Sequence, residues 1–118
     1  MINKLKISSV HTIVDQRIEK YVNKKIGQLD KYVPRRARQS VYAEVRLKED
    51  NSKDKNRNTC EVVLHLPHET IDSVETSSTM FAAVDLVESK LKQRIRKYKD
   101  LHANPKQQRR LFARIAGS

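Results

Sequence analysis

Leu5 and Ile7 alternate with Lys4 and Lys6 near the start of the chain, a period of two that predicts a short, half-buried strand. From Asp15 the period lengthens. Ile18, Tyr21 or Val22, Ile26 or the aliphatic stem of Lys25, Leu29 and Tyr32 recur at three- and four-residue steps, which predicts one amphipathic helix. Asp15 offers its N-cap, Thr12 a competing start, and Pro34 its end. Alternation returns at Val41, Ala43, Val45 and Leu47, interleaved with Tyr42, Glu44, Arg46 and Lys48, and predicts a second strand. The next ten residues, EDNSKDKNRN, carry no apolar side chain and are expected to form a solvated, mobile loop. Cys60, Val62, Leu64 and Leu66 mark a third strand, PHE a turn, and Ile71 to Thr76 a weaker fourth strand. Ser77, Ser78 or Thr79 can cap a second long helix with an inner stripe of Phe81, Val84, Val87, Leu91, Ile95 and Tyr98. That helix should run to about His102, where Asn104 and Pro105 break it.

The element order is therefore β-α-β-β-β-α. Short connections make the last three strands antiparallel neighbours, giving an α+β fold with a four-stranded sheet and two long helices on one face. A chain of 118 residues suits one domain, expected over residues 1–102, followed by a basic, flexible tail over 103–118. In that tail Leu111, Phe112 and Ile115 lie amid arginines in a stretch too short for a stable helix in water.

Charge changes the picture. The net charge is +11 with a pI near 10.0, which calls for a polyanionic partner, nucleic acid or an anionic membrane surface. Between Lys90 and Arg114 ten Lys or Arg face one acid, Asp100, so +9 of the total lies in the C-terminal quarter. On the second helix Lys90, Arg94 and Lys97 share one flank, and Lys92, Arg96 and Lys99 the other. A merely solvated helix face mixes signs and forms i,i+4 pairs, but here Glu88 and Asp100 are the expected partners and the rest of the outer face is cationic. Several backbone phosphates match such a surface.

Catalysis finds no support. Cys60 and His65 stand five residues apart in one strand and point to opposite faces, so they form no Cys-His pair, and Cys60 reads as a small core residue. His65 and His68 lack a second pair at metal-ligand spacing, and Asp50, Asp54 and Asp72 show no carboxylate grouping for a metal-dependent nuclease. With only Gly27 and Gly117 there is no phosphate-binding glycine loop. No enzyme activity, cofactor, metal or small-molecule substrate is expected. Tyr42 is the one aromatic strand residue, which disfavours base stacking on the sheet and leaves phosphate and sugar contacts in folded RNA. One cysteine, an N-terminus without a signal-peptide core and no apolar run of the roughly 20 residues that span a bilayer point to a cytoplasmic protein without a membrane partner.

Two stretches, YVNKKIGQLDKY at Tyr21 to Tyr32 and MFAAVDLVESKLKQRIRKYKD at Met80 to Asp100, resemble the ribosome hibernation promoting factor and ribosome-associated inhibitor family. The resemblance covers about residues 3 to 102. It implies a fold similar to double-stranded-RNA-binding domains and a stress-response, stationary-phase role. It also implies binding to the small ribosomal subunit and its rRNA near the decoding centre, where a basic plug excludes messenger and the A- and P-site transfer RNAs and so inhibits translation. By position, Lys90, Lys97 and often Lys99 match family basic sites on the second helix and Lys25 one on the first, while Asp85 matches a family acid or its amide. Lys92, Arg94 and Arg96 come from the charge pattern; relatives often place Arg before Gln where this chain has Gln93 before Arg94. Long members append a C-terminal domain that pairs ribosomes; the sequence to Ser118 fits either a short member or the N-terminal part of a long one, and without such a domain no oligomer is expected. The alternative is a structured-RNA-binding domain without ribosome specificity.

Overall fold

The computed structural model describes residues 1–10, 12–52 and 55–101. Four strands, β1 (Lys4–Val10), β2 (Tyr42–Ser52), β3 (Lys55–Leu66) and β4 (Glu69–Ser77), form one sheet in the order β1-β2-β3-β4. β1 runs parallel to β2, and the other two pairings are antiparallel. Two α-helices, α1 (Gln16–Lys25) and α2 (Met80–Leu101), complete the α+β fold. Ala43, Val45, Leu47, Cys60, Val62, Leu64 and Ile71 alternate inward along the strands and meet Ile18, Val22, Val84, Val87, Leu91 and Ile95 of the helices in one core. The opposite sheet face, with Lys4, Lys6, Tyr42, Glu44 and Arg46, has no such cover.

The first helical segment is not one helix to Tyr32. Asp15 caps it as expected, accepting from the Ile18 N–H at 2.9 Å, but α1 ends at Lys25 and the chain tightens into a 3₁₀ helix over Gly27–Tyr32. Gly27 is the reason. Its carbonyl accepts the Ile2 N–H at 2.7 Å, and a Cβ there would come within 3.1 Å of Met1 Cε, so the N-terminus packs where a side chain would project. The tighter winding turns Leu29 and Val33 into the core and leaves Tyr32 half-buried at its rim. A second 3₁₀ helix, Arg35–Ser40, follows Pro34. Arg38 reaches back to the carbonyls of Asp30, Lys31 and Val33 at 3.0–3.1 Å, satisfying acceptors that the short helix leaves open.

The polar stretch after Lys48 also departs from expectation. β2 and β3 stay paired to Ser52 and Lys55, whereas β1 leaves β2 at Lys48 and β4 joins β3 at Asn58. A two-stranded ribbon therefore projects beyond the four-stranded sheet. Cross-strand backbone hydrogen bonds hold it, so it needs no apolar alternation to exist. The turn between β3 and β4 is Pro67-His68, with His68 at φ 68°, a positive value that suits the second central residue of a type II turn after proline.

Among the three proposed caps for α2, Thr79 is used: its Oγ1 accepts from the Ala82 N–H at 3.1 Å. The buried stripe is Ala83, Val84, Val87, Leu91, Ile95 and Tyr98. Phe81 is not in it. Its ring is 41% exposed and packs edge-to-face on Tyr21 of α1 with centroids 5.0 Å apart, because at its angle on the helix it faces the α1–α2 seam rather than the sheet. α2 is described to Leu101; the expected stop at His102 to Pro105 and the basic tail lie outside the described residues.

Candidate nucleic-acid interface

With 22 residues α2 is about 33 Å long, and its buried stripe fixes its rotation on the sheet. Tyr98 anchors the C-terminal half through its hydroxyl, which donates to the Pro67 carbonyl at 2.9 Å. Burial and Glu69 raise the Tyr98 pKa, which nearby Arg36 partly offsets. The outward side is then decided by geometry: Lys90, Arg96, Lys97 and Lys99 are exposed, and none has an ion-pair partner among the described residues.

The other expected contact residues are already engaged. Lys92 Nζ lies 3.5 Å from Glu88 and 5.4 Å from the Tyr32 ring centroid. Arg94 leans over the sheet edge, donating to the Asp72 carbonyl and sitting 3.7 Å from its carboxylate. Lys25, on α1, is 3.8 Å from Asp85 on α2. Glu88 and Asp100 are thus not the only acids in play. Asp72 and Asp85 enter from positions that helix spacing could not bring to these cations, since one belongs to β4 and the other meets its partner across the seam. These pairs are surface pairs, each worth about 0–1 kcal/mol, and a phosphate can displace them.

Sequence spacing also missed Lys31. Its Nζ lies 5.1 Å from the same Tyr32 ring that Lys92 approaches, so the 3₁₀ helix adds a cation beside α2. The three-residue steps from Ile26 to Leu29 and Tyr32 fit an α-helix and a 3₁₀ helix alike, which hides that the local winding is tighter.

The remaining candidate chemistry stays apart. Cys60 is fully buried on the helix side, where desolvation, with Glu61 adding to it, pushes its thiol up to about 12. His65 is on the open face, stacked on Tyr42 at 4.0 Å and 3.0 Å from Glu44. Among the described residues no three His, Cys, Asp or Glu side chains converge as a metal site, and no helix is long and apolar enough to cross a membrane.

Fold and surface together make a small α+β domain whose second helix turns a largely cationic side outward. The chain belongs to the family described as sigma 54 modulation protein / S30EA ribosomal protein, whose model matches residues 5–102. It is 38% identical over 96 residues to a ribosome hibernation promotion factor of Lactococcus lactis subsp. cremoris, covering 81% of this chain and 49% of the relative. A protein of the same name from Deinococcus radiodurans is 29% identical over 104 residues, covering 88% of this chain and 53% of that one. The chain thus spans about half the length of these curated relatives. Two solved structures share the fold at a TM-score of 0.67: the Protein Y N-terminal domain of Thermus thermophilus, 24% identical, and a ribosomal subunit interface protein from Coxiella burnetii, 20% identical. They cover 82% and 81% of this chain and 97% of each neighbour.

Proposed function

We propose that residues 1–102 form a ribosome-binding unit that docks on the small subunit near the decoding centre, in the cytoplasm. There it overlaps messenger and A- and P-site transfer RNA and holds the ribosome idle without doing chemistry. The observation that carries this reading is the set of exposed Lys90 and Lys97 on one flank of α2 and Arg96 and Lys99 on the other, without ion-pair partners among the described residues, in a family whose relatives are named for ribosome hibernation. Lys25, Lys92 and Arg94 join the interface by exchanging their present acids for phosphates. The test is sedimentation with purified small subunits, whole ribosomes and naked rRNA, with translation in vitro read in parallel. Lys90→Glu with Lys97→Glu should weaken subunit binding on the order of 100-fold, about 2.8 kcal/mol, and relieve inhibition while the fold survives. Equal binding of the wild type to naked rRNA and to subunits, without inhibition, leaves only a general structured-RNA binder.

A further inference from the structure

An acid sits inside the cationic surface, where charge alone would not place one. Asp85 is half exposed on α2, accepts a hydrogen bond from the Tyr21 hydroxyl of α1 and lies 3.8 Å from Lys25 Nζ. Phe81, four residues earlier on α2, packs edge-to-face on the Tyr21 ring, and Lys25 Nζ lies 5.6 Å from that ring's centroid. The four side chains form one connected cluster across the α1–α2 seam.

Two physical consequences follow. A lysine is a point charge on a flexible four-carbon stem, and fixing it costs conformational entropy at the moment of binding unless something has fixed it beforehand. The carboxylate does this for Lys25, and the Tyr21 hydroxyl holds the carboxylate. The same acid repels any polyanion that approaches without displacing or accommodating it.

We propose that Asp85 and Tyr21 are specificity-determining positioning residues. They hold the Lys25 ammonium at a set place beside the α2 cations, so the surface fits the phosphate arrangement of folded small-subunit RNA and discriminates against unstructured polyanions. This rests on the subunit-binding reading above. The raised Tyr21 pKa, pushed up to about 12 first by the hydrogen bond to Asp85 and then by burial and the charges of Asp85 and Glu88, agrees with a hydroxyl committed to a carboxylate.

The experiment compares wild type, Asp85→Asn and Tyr21→Phe for affinity to purified small subunits and to polyuridylate at one salt concentration. Asp85→Asn raises the net charge from +11 to +12, so a surface governed by charge alone would bind both partners more tightly. The positioning role gives opposite signs: subunit binding weaker by about 3- to 10-fold and polyuridylate binding tighter by about 2-fold. Tyr21→Phe keeps net charge and ring packing. It should weaken subunit binding by about 3-fold and leave polyuridylate unchanged. Ultraviolet titration reads the clamp without the ribosome. The tyrosine signal that Tyr21→Phe removes should titrate near 12 in wild type and lower in Asp85→Asn. Subunit binding of Asp85→Asn equal to or tighter than wild type, or an unmoved Tyr21 titration, overturns the inference. A wild type that does not sediment with small subunits overturns the reading above and this inference with it.

Discussion

The outer side of α2 and the open face of the sheet are both exposed and both rich in charge, yet they are built differently. Lys4, Lys6, Arg46 and Lys48 on the sheet are interleaved with Glu44, Glu61 and Asp72, around a shallow hollow of about 250 Å³ lined by Lys6, Ser8, Glu44, Arg46, Glu61 and Val63. His65 there is already paired with Glu44. By register Lys6 stands opposite Glu44 and Arg46 opposite Glu61, so acids alternate with bases across the strands although no ion pair among the described residues joins them. On α2 the exposed cations Lys90, Arg96, Lys97 and Lys99 are likewise outside any ion pair among the described residues, but the acids beside them on the helix are fewer: Glu88, which Lys92 meets, and Asp100. A surface that mixes signs solves its own electrostatics, and one that segregates them leaves the solution to a partner.

The largest effect separates the two faces at constant net charge. Lys4→Glu with Lys48→Glu on the sheet and Lys90→Glu with Lys97→Glu on α2 each lower the net charge from +11 to +7. If bulk charge governed association, both would lose the same affinity for small subunits. With the helix as the contact surface, the α2 pair should lose on the order of 100-fold and the sheet pair less than about 3-fold, measured by sedimentation at one ionic strength. The salt dependence sharpens this: the slope of log affinity against log salt should fall by about two for the α2 pair and hardly at all for the sheet pair. Equal losses would erase the distinction.

How far this was readable beforehand depends on the range of the signal. The strand alternation from Val41 to Leu47, the Asp15 cap, the second helix and the outward cations are local patterns, and all appear in the structure. Gly27 was visible as a residue, but that Ile2 docks on its carbonyl and winds the helix into a 3₁₀ turn is a contact across 25 positions. The same holds for Arg94 with Asp72, Lys25 with Asp85 and Phe81 with Tyr21, which no periodicity within one element contains. The ribbon beyond Lys48 is hidden for another reason. Backbone pairing needs no apolar side chains, so a polar composition does not distinguish a paired strand from a loop.

Positioning the cationic face also depends on how α2 begins. Thr79→Ala removes the side-chain acceptor of the Ala82 N–H, and thermal or denaturant unfolding should show a loss of about 1 kcal/mol. The same substitution should barely change subunit affinity at temperatures where the protein is folded, since the cap lies at the opposite end from Lys97 and Lys99. A large affinity loss without a stability loss would mean that the N-terminal turn itself touches the partner.

A smaller effect sits at the seam that joins α1 to this face. The Tyr21 hydroxyl is held protonated to about 12 in the folded protein against an ordinary value of 10.0. A group with a raised folded pKa contributes stability that is fully present below its unfolded pKa and is lost as pH rises through the folded value. Unfolding followed from pH 9 to 12 should therefore show a loss of stability that begins near 10 and is complete by about 12, and Tyr21→Phe should remove that component. An identical alkaline profile in the variant would place the loss elsewhere, because Tyr98 also has a raised pKa and buried Cys60 titrates in the same range.

The smallest effect belongs to the sheet face and tests its self-sufficiency from the other side. Glu44→Gln removes the carboxylate that His65 meets at 3.0 Å while leaving the Tyr42 ring stacked on the imidazole at 4.0 Å. Glu44 is 56% exposed and the contact is bathed in solvent, so at pH 7 stability should change by less than about 0.5 kcal/mol. Subunit binding is the more telling readout. The substitution removes a negative charge from a face that already carries Lys6 and Arg46 beside it, and a partner lying there would gain from the change. Affinity that stays constant leaves the open face outside the interface; affinity that rises several-fold would make the sheet a second contact surface, and the contrast between the two faces would become one of degree.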